Sequence, residues 1–368
     1  MPTIAYFISD HGLGHATRSI AIIRSMFECD LETSVNIHTS KPLSLMKNSL
    51  SLIDVPKRVD FHEQLNDFGF IGDELTGKID HPKTALEVTS WIQTWHSSYI
   101  FDEYTYLKAK NVDLIISDIA PQPFLLAKKL KIPSIAISNF TWLDIYQNSA
   151  FNLVDLDTIW KAYREASLGL MLPFNLENTV FRSKLETALV SRKPTRSKEE
   201  MRESLGFDSS LCIIYAGTGT SLENPFLREW TEKKDLIFIL GGQPNITGHN
   251  TRTIPPQDPE GQDYINCSDL ALIKVSYSSV SEAIRSHVPI IGVDFVQSAE
   301  TIFMKDIIKN LGIGVCISPE EYFQGKWIEF IPSVLKMKQN YVNLPTRFTK
   351  HGEDQIVNII LDLLEEIT

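Results

Sequence analysis

Residues 10–19 read DHGLGHATRS, which puts His15 directly after Gly12-Leu-Gly14. An apolar strand, Thr3 to Ser9, precedes this turn, and a helix with Ile20, Ile23 and Phe27 on one face follows it. An imidazole changes charge near neutral pH and can take a proton from a hydroxyl; in the plainer reading it caps the helix and packs. The stretch Asp269 to Glu300 offers different chemistry. Ser276, Ser278 and Ser279 stand between an apolar run, Leu270 to Val275, and a helical face of Val280, Ala283, Ile284 and His287. The first N–H groups of such a helix are unpaired and its dipole end is positive, so an anion can be held there. The plainer reading is a helix capped by Ser278, with Glu282 close to a capping-box position. Asp118 follows a buried strand, Val112 to Ser117, at the carboxyl end where parallel α/β sheets bind ligands. It can equally cap the helix of Leu125, Leu126 and Leu130. Gly217 and Gly219, on either side of Thr218, permit close backbone approach to a ligand. Asp155 and Asp157 form a D-x-D, but they open a helix, Leu156 to Ser167, where acids suit the dipole. No His or acid cluster stands near them in sequence, and no metal is expected.

The elements that must position these residues alternate strand and helix throughout. Beyond those named, apolar runs at Ser34 to His38, Ile135 to Ser138, Leu168 to Phe174, Leu211 to Tyr215, Leu236 to Leu240 and Ile290 to Val293 read as buried strands. Pro289 is read as the end of the Val280 helix. A charged stretch between Val190 and Phe207 is the best linker, ending in a short helix stopped by Gly206. Near the end, Ile356, Ile359, Ile360, Leu363 and Leu364 form an amphipathic helix. The segment from Phe61 to Lys110 is looser: glycine and acid content near Phe68 to Asp80 suggests a mobile loop, followed by a helix through Trp91 and Tyr99. Its many aromatics read either as core or as the lining of a cleft.

At 368 residues the chain favours two domains. Hydrophobic residues at 43% and charged residues at 22% are ordinary for a globular protein. A net charge of −11 argues against a nucleic-acid partner. The cysteines, Cys29, Cys212, Cys267 and Cys316, are far apart and read as buried free thiols of a reducing compartment. No basic leader precedes the first strand, and no run approaches the roughly 18 apolar residues of a span. A cytoplasmic location is expected, with peripheral membrane attachment left open. Gly12 and Gly14 without a third glycine, and no acid after the second strand, weigh against a nicotinamide or flavin cofactor.

SYSSVSEAIRSHVPIIGVDF, from Ser276 onward, resembles the donor-binding element of GT-B glycosyltransferases, G-x-x-T-v-s-E-a-l-x-x-G-v-P. That element is shared by the lipid-II-forming N-acetylglucosaminyltransferase and the UDP-glycosyltransferases. Ser276 and His287 stand where the pattern has glycine. HGLGHATRS resembles the amino-terminal G-x-G-H element, in the version of a set of nucleotide-sugar glycosyltransferases related to the amino-terminal part of plant arabinokinases. The resemblance implies an α/β, GT-B architecture of two Rossmann-like domains facing across a cleft. Their bounds would be 1–190 for the acceptor side and 191–350 for the donor side, with a helix at 351–368 crossing back. It implies His15 as the general base oriented by Asp118, with Gly12 and Gly14 on the acceptor-side loop. It places the donor diphosphate on the backbone around Ser278 and Ser279, with Ser276 beside them on the donor side, the ribose on Glu282, and the glycine turn Gly217–Thr218–Gly219 nearby. Gln297 and Glu300 would reach the donor sugar.

The activity implied is inverting, metal-independent transfer of a sugar from a nucleotide diphosphate, UDP above all, to an acceptor hydroxyl. No resident cofactor is implied; the partners are the nucleotide sugar and an acceptor. A nucleotide-sugar 2-epimerase of the same fold and a non-catalytic GT-B-like binding protein are the alternatives.

Overall fold

The computed structural model describes residues 1–29, 32–53, 58–72, 78–147, 150–176, 180–207, 211–218, 230, 233, 235–242 and 248–366. Its contacts divide the chain into two compact units. The first comprises Met1–Val190, Ser298–Glu300 and Lys350–Thr368; the second comprises Ser191–Gln297 and Thr301–Thr349.

The first unit is built on seven parallel strands: β1 (Thr3–Ile8), β2 (Ser34–Thr39), β3 (Val59–Glu63), β4 (Leu114–Asp118), β5 (Ser134–Ser138), β6 (Leu168–Met171) and β7 (Lys184–Glu186). Their order is β3-β2-β1-β4-β5-β6-β7. Strands covered on both faces read as unbroken apolar runs, and Ile4 to Ile8 and Leu114 to Ile116 are fully buried. β1 lies between β2 and β4, with Ile8 opposite Asp118. The strand order therefore reverses at the β1/β4 boundary, the place where open α/β sheets leave a crevice at their carboxyl ends.

The second unit repeats the plan with six parallel strands in the order β10-β9-β8-β11-β12-β13. They are β8 (Cys212–Gly217), β9 (Leu236–Leu240), β10 (Thr251–Thr253), β11 (Leu270–Lys274), β12 (Ile290–Val293) and β13 (Gly314–Ile317). Here the reversal falls between β8 and β11, where Gly217 pairs with Ile273. The linker helix, Lys198–Ser204, is opened by a Ser197–Glu200 capping box and followed by Gly206 at φ 70°.

Several expectations change. The strand expected to run to Phe174 stops at Met171, and Phe174 takes φ 64°. The edge strands β3 and β7 were not expected: VDFHE and KLE are half-exposed or exposed and carry no apolar run to betray them. The aromatics of 91–99 divide in favour of core, since Trp91 and Trp95 pack with Phe140, Trp142 and Tyr146, while Phe101 is 68% exposed. Residues 73–77 of the expected mobile loop lie outside the described residues. All four cysteines are free, but only Cys267 is buried; Cys212 and Cys316 are half-buried and Cys29 is exposed. Among the described residues no helix is long and apolar enough to cross a membrane.

The last helix, Gly352–Glu365, packs against the helix Gly14–Glu28, burying Ile356, Val357, Ile360 and Leu364. Ser25 Oγ donates to Asp354 at 2.7 Å across this contact. The helix starts so close to the preceding segment that Gly352 N–H donates to Leu189 O at 2.9 Å. A Cβ on residue 352 would lie 2.1 Å from the backbone oxygen of Ala188. Alanine is the better helix former by up to ~1 kcal/mol, but overpacking against backbone costs ~1–3 kcal/mol. Gly352→Ala should therefore lower the urea midpoint; an unchanged or raised midpoint would show that the segment yields freely.

Candidate active site

His15 does not stand in the loop, as its glycine setting suggested, but in the first turn of the helix Gly14–Glu28. Gly12 has φ 75°, a left-handed conformation that favours glycine, and turns the chain from β1 into this helix. His15 is 7% exposed. Its Nδ1 lies 2.8 Å from Asp118 Oδ1, and Asp118 is wholly buried at the end of β4. Arg18 Nη2, which can only donate, also lies 2.8 Å from Nδ1; we assign the Nδ1 proton as donated to the carboxylate, the stronger partner, which leaves Nε2 as the basic nitrogen.

Asp118 is not His15's alone. Arg18, one turn further along the same helix, donates through Nε to Asp118 Oδ2 at 2.6 Å and through Nη2 to Oδ1. Ser19 Oγ also reaches Oδ2, at 3.3 Å. Burial alone would raise the Asp118 carboxyl, but the charges and hydrogen bonds of Arg18 and His15 outweigh it and hold it below its ordinary value. The carboxylate stays ionised. Arg18 in turn donates through Nη1 to Asn139 Oδ1 at 2.6 Å, and Asn139 Nδ2 donates to Glu300 Oε1 at 2.7 Å. Glu300, expected with the donor residues, is thus held by Asn139, and its short segment Ser298–Glu300 counts with the first unit.

Beside this chain of contacts lie two buried carboxylates that sequence reading did not single out. Asp10 accepts from the backbone N–H groups of Ser40, Lys41 and Asn66 at 2.7–2.8 Å. Asp67 accepts from Ser9 Oγ at 3.0 Å, from Asp10 N–H at 2.9 Å and from Trp142 Nε1 at 2.9 Å. Burial, and then the charge of Asp10, push Asp67 up to about 6 against the pull of His15.

In the second unit, Ser276 is the N-cap of the helix Tyr277–Arg285, with extended backbone and no side-chain cap bond. The cap therefore lies two residues before the expected Ser278, and Glu282 lies beyond the first turn. Ser276 Oγ donates to Ser279 Oγ at 3.3 Å. The helix ends at Arg285, before Pro289, because His287 takes φ 53°. His287 is therefore not on the helical face expected of it. That conformation accounts for glycine at this place in the pattern. Gly217 ends β8 beside β11, so it and the Ser276 helix share the switch point of the second sheet. Thr218 Oγ1 lies 3.0 Å from Tyr322 Oη; Gly219 lies outside the described residues. Gln297, at φ 54° and exposed, donates its N–H to Asp294 at 2.9 Å.

Glu282 is 6% exposed and accepts from Arg192 Nε at 2.8 Å. Arg192, also buried, donates through Nη1 to Pro259 O at 2.6 Å. Burial would lower the guanidinium, but Glu282 more than offsets it, so Arg192 stays charged. The D-x-D acids are engaged otherwise: Asp155 accepts from Thr89 Oγ1 at 2.5 Å and Asp157 pairs with Lys161 at 2.5 Å.

No established family profile matches the chain. An L-arabinokinase of Arabidopsis thaliana is 23% identical over 349 residues, 92% of this chain, and the chain spans about a third (32%) of that protein's length. Solved structures with the same fold include Arabidopsis thaliana UGT89C1 complexed with quercetin, at TM-score 0.66 and 13% identity over 100% of both chains. The spinosyn rhamnosyltransferase SpnG matches at TM-score 0.66 and 12% identity, over 99% of this chain and 100% of its own. Phytolacca americana UGT2, complexed with UDP-2-fluoro-glucose and pterostilbene, matches at TM-score 0.64 and 12% identity, over 98% of this chain and 99% of its own. The architecture is the GT-B glycosyltransferase fold.

The elevated Asp67 carries a stability signature. Because its folded value lies above the ordinary 3.8, its contribution is complete below about pH 4 and is lost as pH rises through about 6. Asp67→Asn removes this dependence and sets an amide N–H against the Trp142 donor. The variant should be less stable than wild type near pH 4, with the deficit narrowing by up to about 3 kcal/mol by pH 7. Urea melts at both pH values check this; a deficit that widens with pH contradicts the elevated carboxyl.

Proposed function

We propose that the protein transfers a sugar from a nucleotide diphosphate donor, UDP in our reading, to an acceptor hydroxyl with inversion at the anomeric carbon. The observation that carries this is the 2.8 Å His15–Asp118 pair at the switch point of the first sheet, in a GT-B fold. His15 Nε2 takes the acceptor O–H proton as that oxygen bonds to the anomeric carbon. The bond from that carbon to the diphosphate breaks, and the electron pair leaves with the phosphate oxygen. Asp118 fixes the imidazole tautomer and balances the imidazolium. One in-line displacement inverts the centre.

On the donor side, the Ser276 helix N-terminus would receive the diphosphate, with backbone N–H groups and serine hydroxyls in place of a divalent ion. Glu282 would accept from ribose hydroxyls on the oxygen that Arg192 does not use. Glu282→Ala would leave a buried arginine with neither counter-charge nor acceptor, a loss of ~3–5 kcal/mol in itself; Glu282→Gln keeps the acceptor and is the milder probe, used once a melting curve shows that it folds. It should weaken UDP binding by ~1–3 kcal/mol, the range for losing hydrogen bonds to a charged group. Calorimetry giving equal affinities would remove Glu282 from the nucleotide site.

One feature favours the binding-protein reading: Arg18 contacts the same Asp118 oxygen as His15 and takes part of its charge. Turnover separates the two readings. His15→Ala should cut the rate by ~10²–10⁴, as for a lost general base, and leave UDP affinity unchanged. Asp118→Asn should cost less, since the base survives without its orienting partner. A folded His15→Ala protein with wild-type turnover would dismiss the mechanism.

A further inference from the structure

His38 on β2 and His62 on β3 are register partners on neighbouring parallel strands, so their side chains project from the same face of the sheet. Over them lies the helix Ile100–Ala109, which brings Glu103 to both. Glu103 Oε1 is 2.9 Å from His62 Nε2, and Oε2 is 3.1 Å from His38 Nδ1. The three side chains offer ligand atoms all within 4.8 Å of one another. The His38 contact, an ion pair at 3.1 Å, is poorly aligned for a hydrogen bond. Among the described residues, His38 Nδ1, His38 Nε2 and Glu103 Oε2 have no well-aligned hydrogen-bond partner. His38 is wholly buried and Glu103 is 3% exposed, where an unpaired polar atom costs ~1–3 kcal/mol. A buried nitrogen and a carboxylate oxygen side by side, without a proton aligned between them, are two lone-pair donors facing a common point.

We propose that His38, His62 and Glu103 form a site for one zinc ion, which ties the edge strand β3 to β2 and to the covering helix. Zinc takes histidine nitrogens and carboxylate oxygens at ~2.0–2.2 Å, which sets the ligand atoms of a tetrahedral sphere ~3.4 Å apart. The two Glu103 contacts, at 2.9 and 3.1 Å, would open slightly to reach that spacing. The imidazoles are already oriented by ring contacts: Phe7 stacks on His38 with centroids 4.1 Å apart, and Tyr106 on His62 at 3.9 Å. Asn36 Nδ2 fixes the Tyr106 hydroxyl at 3.1 Å. Glu103 also lines a cavity of about 380 Å³ with Gln64, Tyr99 and Asp102. The site shares no side chain with the His15 contacts, and its test is independent of turnover.

The full-length protein, stripped with chelator and desalted, is titrated with cobalt(II) as a spectroscopic substitute, with zinc as competitor. One equivalent should bind with visible d–d absorption that zinc abolishes, and zinc should raise the melting temperature of wild type. His62 is partly exposed, so His62→Gln should fold; Glu103→Gln preserves shape. Each should weaken cobalt binding by about 100-fold or more, since even an outer-sphere partner is worth ~10–100-fold. No d–d band at stoichiometric cobalt, or equal affinity in wild type and both variants, overturns the site.

Discussion

Everything in the candidate active site turns on how one buried carboxylate divides its charge. Asp118 sits at the end of a central strand with no exposed surface, and an isolated carboxylate there would be driven to hold its proton. Arg18 prevents this, and by doing so makes Asp118 a permanent anion that can fix His15. The same arginine is pinned by Asn139, itself bonded to Glu300. The geometry of the imidazole is therefore set by residues from one helix, two strand ends and a distant short segment. A neutral amide in place of any of these charges would leave a buried ion without its counter-charge, which is why such clusters stand or fall together.

The second unit solves the same problem differently. Glu282 stands near a helix N-terminus that attracts anions, and its own charge is balanced by Arg192, 90 residues earlier. Pairing the acid with a buried cation keeps Glu282 an acceptor while removing most of its long-range field from the N-terminal end of the helix.

What the sequence disclosed, and what it hid, follows from the range of the interactions. Central strands were legible because burial on both faces demands unbroken apolar runs, and the Gly12 turn because left-handed backbone favours glycine. The edge strands escaped because half-exposed VDFHE and KLE have no such demand on them. The end of the Ser276 helix was misread because left-handed backbone was carried by His287, a residue that does not advertise it. Arg18 had a usable signal: at three residues from His15 it shares a helix face with it. Arg192, Asn139 and Asp67 had none, since their partners are fixed only once separate strands are laid side by side.

The first unit is discontinuous in sequence. Its opening helix, Gly14–Glu28, is made before the helix that covers it, Gly352–Glu365, with the second unit between them in the chain. While the ribosome translates the whole second unit, the apolar groove that will receive Ile356, Val357, Ile360 and Leu364 stands open to water or to a chaperone. At 5–20 residues per second, a usual speed of synthesis, that interval lasts on the order of ten seconds to a minute. Shortening the chain before Gly352 would make the exposure permanent. The order of manufacture, as much as the final contacts, thus sets when the half of the molecule bearing His15 can close.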